Sequence, residues 1–132
     1  MKLVFTFSIL LVLLLSCNNA KDIGNKEKAI ELTELKTNYD VKVGDKMTYS
    51  ARIHVSVGYQ AAVSVADADI TSQNESTFAY TDKSRSKMSG GDGGIRTYTF
   101  EAKSVGSTII LIEKEYRGDI TESYELTINV TE

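Results

Sequence analysis

The sequence predicts an all-β domain built as two packed sheets, on three observations. From residue 29 onward, apolar and polar residues alternate in short runs, the period of a half-buried strand. Those runs are rich in β-branched and aromatic residues, with glycine and aspartate between them, and no stretch carries a convincing helical period.

The runs follow one another in short order. "ELTELKT" (31–37) and "YDVKV" (39–43) place an apolar or aromatic residue at every second or third position. "KMTYSARIHV" (46–55) sets Met47, Tyr49, Ala51, Ile53 and Val55 against polar partners. "YQAAVSV" (59–65), "STFAYTD" (76–82), "IRTYTFEA" (95–102), "STIILIEKEY" (107–116) and "ESYELTINV" (122–130) come next. Turns are expected at Gly44-Asp45, Gly58, Gly90 to Gly94, Gly106 and Gly118-Asp119. Short strands at this spacing indicate an immunoglobulin-like antiparallel β-sandwich, which needs about 100 residues and no disulfide.

Composition narrows the function. A length of 132 residues argues for one domain. The chain has 15 basic and 18 acidic side chains with neither sign in a block, so nucleic acid is not an expected partner. One cysteine forbids an intrachain disulfide, and one histidine leaves little for metal or acid–base chemistry. No metal, cofactor or enzymatic activity is expected.

The stretch "SGGDGGIRTYTF" (89–100) asks what its glycines do. A phosphate cradle would open a helix and end in Gly-Lys-Ser/Thr, and an alternating strand follows instead. A calcium loop needs several alternating acids, whereas Asp92 stands alone and "ADAD" (66–69) reads as a polar turn. The glycines therefore serve backbone geometry, either a close approach to something or a loose hairpin tip. His54 ends an alternating strand, where a satisfied or exposed strand residue is the ordinary explanation, and no "GxSxG" elbow exists. "RGD" (117–119) matches an integrin-binding tripeptide, but a turn explains it better.

The N-terminus carries a separate signal. "MKLVFTFSILLVLLLSC" has Lys2, an apolar core from Leu3 to Leu15, then Ser16 and Cys17. The core is shorter than the ~20 residues of a spanning helix and fits a signal-peptide h-region. Its "LLSC" ending resembles a bacterial lipobox, which implies cleavage before Cys17, lipidation of its thiol, and an exported, membrane-anchored lipoprotein. An ordinary secretory signal is the alternative. Acyl chains contribute ~0.8 kcal/mol per buried methylene, enough in twos or threes to hold a small domain. The expected organisation is a signal peptide at 1–16, a flexible tether at 17–28 and a β-sandwich at 29–132.

The loops of the sandwich carry a second resemblance. "KVGDKMTYSARIHVSVGY" is similar to the strand and first loop of the chagasin family, immunoglobulin-like inhibitors of papain-like cysteine peptidases, with Gly58 and Tyr59 kept. "GDGG", Gly91 to Gly94, matches the family's Gly-x-Gly-Gly second motif in full. "SVGSTIILIEKEYRGD" resembles the strand into the third loop, with Arg117 kept and Pro-Trp replaced by Gly118-Asp119. The first loop lacks the family's asparagine and proline. The likeness spans about residues 33–131.

That resemblance implies a monomeric, reversible inhibitor whose three loops plug a peptidase cleft. The implied contact residues are His54, Val55, Ser56, Val57, Gly58 and Tyr59; Gly91, Asp92, Gly93 and Gly94; and Tyr116, Arg117, Gly118 and Asp119. The implied partner is a papain-like cysteine peptidase, with the membrane engaged through the lipid. The alternative is a sandwich adhesion or carbohydrate-binding lipoprotein, which exposed coplanar aromatics would favour and the absence of tryptophan disfavours.

Overall fold

A computed structural model of the protein describes residues 28–132. The expected signal segment, Cys17 and nearly all of the tether lie outside the described residues. Among the described residues eight strands form: β1 Ile30–Leu32, β2 Asn38–Lys42, β3 Lys46–His54, β4 Tyr59–Val65, β5 Thr71–Tyr80, β6 Gly93–Ala102, β7 Gly106–Tyr116 and β8 Asp119–Thr131. A single 3-10 turn, Lys83–Arg85, interrupts the connection between β5 and β6.

Alternation decides which side of each strand is buried. In β3, Met47, Tyr49, Ala51 and Ile53 are buried while the residues between them are not. The same period buries Tyr98, Phe100 and Ala102 in β6, and Leu126, Ile128 and Val130 in β8. With Leu32, Tyr39, Val41, Ile110 and Ile112 these side chains make one core. Each fully buried large apolar side chain contributes ~1.5–3 kcal/mol relative to an exposed one.

The hydrogen-bonded strand order is β2-β8-β7-β4-β3-β6-β5, with β1 beside β3. The ladder doubles over at the β3–β4 hairpin, where one register pair, His54 with Tyr59, connects two four-stranded halves. Between the halves, the Tyr98 hydroxyl of β6 donates to the Ala61 carbonyl of β4 at 2.6 Å. All-β architecture is as the alternation indicates.

Two short pairings are parallel rather than antiparallel: β1 with β3 and β2 with β8. The N-terminal stretch reaches both halves, so "ELTELKT" is strand only through Leu32 and then crosses over. The next corner crosses back. The Val43 amide donates to Thr131 of β8 at 2.9 Å, and the Gly44 amide donates to Ala102 of β6 at 2.8 Å. Because the turn changes sheets, β3 does not fold back on β2 and the two need no antiparallel register.

Strand ends differ from the alternation in informative places. β5 begins at Thr71, because an irregularity between Gln73 and Ser76 absorbs polar residues that break the period. Gly93 and Gly94 belong to β6, facing His54 and Ile53 of β3, and not to the loop before it. Neither has positive φ. A Cβ on Gly94 would fall inside contact distance of the Ala79 carbonyl and the Phe78 ring on β5. Gly94→Ala is therefore expected to push β5 off β6 and lower stability by roughly 1–3 kcal/mol in urea unfolding. An unchanged midpoint would mean that β5 does not approach so closely.

Candidate binding site at the loop end

Three connections come together at one end of the sandwich. The β3–β4 turn is Val55–Gly58, closed by the Val57 and Gly58 amides donating to the His54 carbonyl at 3.1 and 3.0 Å. The β7–β8 turn is Arg117-Gly118, with φ of +55° and +93° at its two central residues. Positive φ at both positions matches the right-handed twist of the flanking strands. Arginine in that region costs roughly 1 kcal/mol. Two contacts hold it: its amide donates to the Gly58 carbonyl at 2.8 Å, and its guanidinium lies 5.1 Å from the Tyr116 ring centre. The "RGD" string is thus a hairpin turn.

Gly58 is required for two reasons. Its φ is +103°, and a Cβ there would sit 2.7 Å from the Arg117 Cγ and 3.1 Å from the Arg117 nitrogen. Any side chain would part the first turn from the third. Register partners Tyr59 and Tyr116 continue that junction, with ring centres 4.7 Å apart and planes inclined by 34°. Tyr59 remains half exposed.

The β5–β6 connection is built from its own side chains. Asp82 accepts from the Ser84 amide at 2.9 Å and the Ser84 hydroxyl at 2.6 Å, capping the 3-10 turn. The Met88 amide then bonds the Arg85 carbonyl at 2.8 Å, and the Gly91 amide bonds Met88 at 2.9 Å. Gly90 has a φ of +72°, and a Cβ on Gly91 would collide with the Arg85 carbonyl. So Gly91 faces its own loop and is packed there.

Asp92 joins this loop to the first turn. Its carboxylate accepts from the Ser56 amide at 2.7 Å and from the Ser56 hydroxyl. His54 Nε2 lies 3.3 Å from the same carboxylate and 3.0 Å from the Gly90 carbonyl. Both neighbours of Nε2 are acceptors, which assigns the hydrogen to that nitrogen. The Ser56 hydroxyl, aided by the Ser56 amide and by His54 nearby, holds the Asp92 carboxyl below the ordinary aspartate value of 3.8. The lone acid of "GGDGG" is an inter-loop fastener.

All the residues expected to form the contact surface therefore stand at one end, in the spatial order third turn, first turn, second loop. Val55, Val57 and Tyr59 are exposed there. Gly91 is packed against its own loop and Gly94 is buried in the sheet, and both also line a cleft between the second loop and β3. Sequence reasoning missed two further groups. Phe78 and Tyr80 on β5 form an exposed edge-to-face pair with centres 4.9 Å apart. The cleft, of about 560 Å³, is the other; it lies between the second loop and the adjoining ends of β3 and β4, lined by Arg52, His54, Tyr59, Asp82, Arg85 and the nearby glycines. Arg52 shares the outer face of β3 with His54, the one local signal that could have found it.

A partly exposed polar cluster braces the strand leading to the third turn. The Lys114 ammonium is 2.8 Å from Glu34 and 3.3 Å from Glu122, and the Tyr49 hydroxyl donates to Glu34 at 2.8 Å. Burial, then the neighbouring Glu34 carboxylate, pushes the Tyr49 hydroxyl up. Burial pulls Glu34 the same way, but Lys114 and Tyr49 outweigh it and hold that carboxyl low. Lys114 lies two residues before Tyr116, so this cluster positions the strand that carries the third turn.

The fastening by Asp92 has a pH signature. Its folded pKa is depressed, so its contribution is complete above the unfolded value near 3.8 and is lost as pH falls through the lower folded value. The Ser56 amide proton is expected to titrate with a midpoint below 3.8 by NMR. In Asp92→Ala that titration should vanish and Ser56 should lose exchange protection, with little change in melting temperature. Retained protection would show that the two loops stay joined without the carboxylate.

No protein-family model matches the sequence, and no curated protein matches it. Solved structures do. The cysteine protease inhibitor EhICP2 from Entamoeba histolytica superposes with a TM-score of 0.62 at 19% identity, over 78% of this chain and 96% of that one. Amebosin gives a TM-score of 0.58 at 18% identity, over 79% and 99%. The described domain thus has the immunoglobulin-like fold of EhICP2 and amebosin.

Proposed function

We propose that the protein is a lipid-anchored, reversible inhibitor of papain-like cysteine peptidases. The observation that carries this reading is the fastening of three connections into one edge, by Asp92 on Ser56 and by Arg117 on Gly58. A solved protein of the same fold is a cysteine protease inhibitor. An inhibitor of this kind needs no chemistry of its own. It needs a protruding edge whose shape is set before binding, so that little conformational entropy is lost in the complex.

The chagasin-like loops of this chain lack the prolines that would stiffen them. The Asp92 carboxylate and the left-handed Arg117-Gly118 turn supply that stiffness instead. In this reading Val55, Val57 and Tyr59 enter the cleft beside the catalytic cysteine, while Arg117 and the second loop bear on its walls. Tyrosine and arginine are the residue types that most often dominate such interfaces. The carbohydrate-binding alternative has less support. The aromatic pairs at this end are inclined at 34° and 78°, so neither offers a flat platform for a sugar ring.

Titration against a panel of papain-like peptidases tests the reading. At least one enzyme should be inhibited competitively, with the inhibitor recovered uncleaved. Tyr59→Ala should weaken that inhibition by ~2 kcal/mol, roughly thirtyfold in dissociation constant, with only a small fall in melting temperature from the lost Tyr116 contact. Equal affinity of the variant would remove the loop end from the mechanism.

Anchoring is tested separately. Mass spectrometry of protein taken from native membranes should find Cys17 as the first residue, carrying acyl chains. Cys17→Ala should leave an uncut or miscut precursor. A mature chain that begins elsewhere without lipid would rule the anchor out.

A further inference from the structure

The chain has four arginines, and all of them stand at the loop end. Arg52 and Arg96 lie near the ends of β3 and β6 that meet the loops, Arg85 lies in the second loop and Arg117 in the third turn. Among the described residues none of the four pairs with a carboxylate or donates a side-chain hydrogen bond, whereas Lys103 and Lys114 are both paired. The concentration is local, since the whole chain carries a formal charge of −3.

Two of these arginines, Arg52 and Arg85, line the cleft of about 560 Å³ with His54 and Tyr59. The nearby acids are engaged by serines. Asp82 is taken up by Ser84, and Asp92 by Ser56 and His54. Asp82 lines the cleft too, with its Oδ1 engaged by Ser84 and its charge felt by Arg85, so the cleft presents two guanidinium groups against one carboxylate, with an aromatic ring and glycine backbone. A guanidinium pairs best with a carboxylate that can meet it at two points.

We propose that this cleft takes an aspartate or glutamate side chain from an acidic segment at the rim of the partner peptidase's active site. The assignment rests on the inhibitor reading for the identity of the partner, and on the cleft itself for the chemistry. It adds a charged flank beside the tips of the turns. Opposite charges at such a flank raise the encounter rate and select among otherwise similar partners. A nucleic acid would need a basic face extended along its backbone, which two arginines in a net acidic chain do not make.

The test uses the full chain in a non-ionic detergent and the double variant Arg52→Gln/Arg85→Gln. Both side chains are exposed, so the variant should melt as the parent does. The probes are a short glutamate-rich peptide, blocked at both ends, and its glutamine counterpart. The glutamate peptide should bind saturably and shift the Arg52, His54 and Arg85 NMR signals. The glutamine peptide should not bind, and the double variant should bind about tenfold more weakly. Against any inhibited peptidase, the double variant should lose about tenfold in association rate at low salt and little at high salt.

Each result has one meaning. Peptide binding with no peptidase inhibited would refute the inhibitor reading and leave the carboxylate site standing. Strong inhibition with both peptides inert, and an association rate insensitive to the two arginines, would overturn the carboxylate site and leave the inhibitor reading. Tighter arginine-dependent binding to phosphatidylglycerol vesicles, or to an oligonucleotide, would overturn the choice of an acidic peptide.

Discussion

Among the described residues one backbone register pair, His54 with Tyr59, ties the two halves of this sandwich together. The halves are otherwise held face to face by core packing, by the N-terminal stretch and the Val43-Gly44 corner that cross between them, and by cross-layer hydrogen bonds such as Tyr98 to Ala61. The short turn between those two residues is therefore both a seam of the fold and the middle of its projecting edge. Its geometry must satisfy the core below and the neighbouring connections at its sides. Gly58 meets the second demand by admitting Arg117 where any side chain would obstruct it.

Charge at the loop end is arranged by occupancy more than by composition. Asp82 and Asp92 sit among the basic residues, yet each is committed to a serine and helps to shape a loop. Glu34 and Glu122 are committed to Lys114. The arginines are left with no such commitment among the described residues. A chain with a formal charge of −3 can thus present a basic edge, because its acids nearby are already engaged. Formal charge counts would not reveal it.

The same economy bears on how loops without proline keep a shape. Proline stiffens a loop by narrowing the unfolded ensemble. Here a carboxylate with two donors from Ser56, a left-handed residue pinned by a backbone bond, and a glycine at a close approach do comparable work in the folded state. That solution depends on ionisation, as proline does not. It also depends on connections far apart in the chain, since Asp92 and Ser56 are 36 residues apart.

The sequence by itself determined the strands, the turns and their order. Alternation in 46–55, 95–102 and 122–130 and glycine at 44, 58, 106 and 118 act locally, through side-chain period and backbone φ, so they are legible without partners. It also brought the first turn, second loop and third turn to notice, through Gly58, Tyr59, Asp92 and Arg117. Only the tertiary structure decided that β1 and β2 run parallel to their neighbours, because the corner at Gly44 changes sheets. Only it decided that Gly93 and Gly94 belong to β6, because their pairing with His54 and Ile53 is non-local. The partnership of Asp92 with Ser56, and of Arg52 with Arg85 across one cleft, has the same origin. Such meetings depend on which registers the core selects, and no local period encodes a register between strands so distant in sequence.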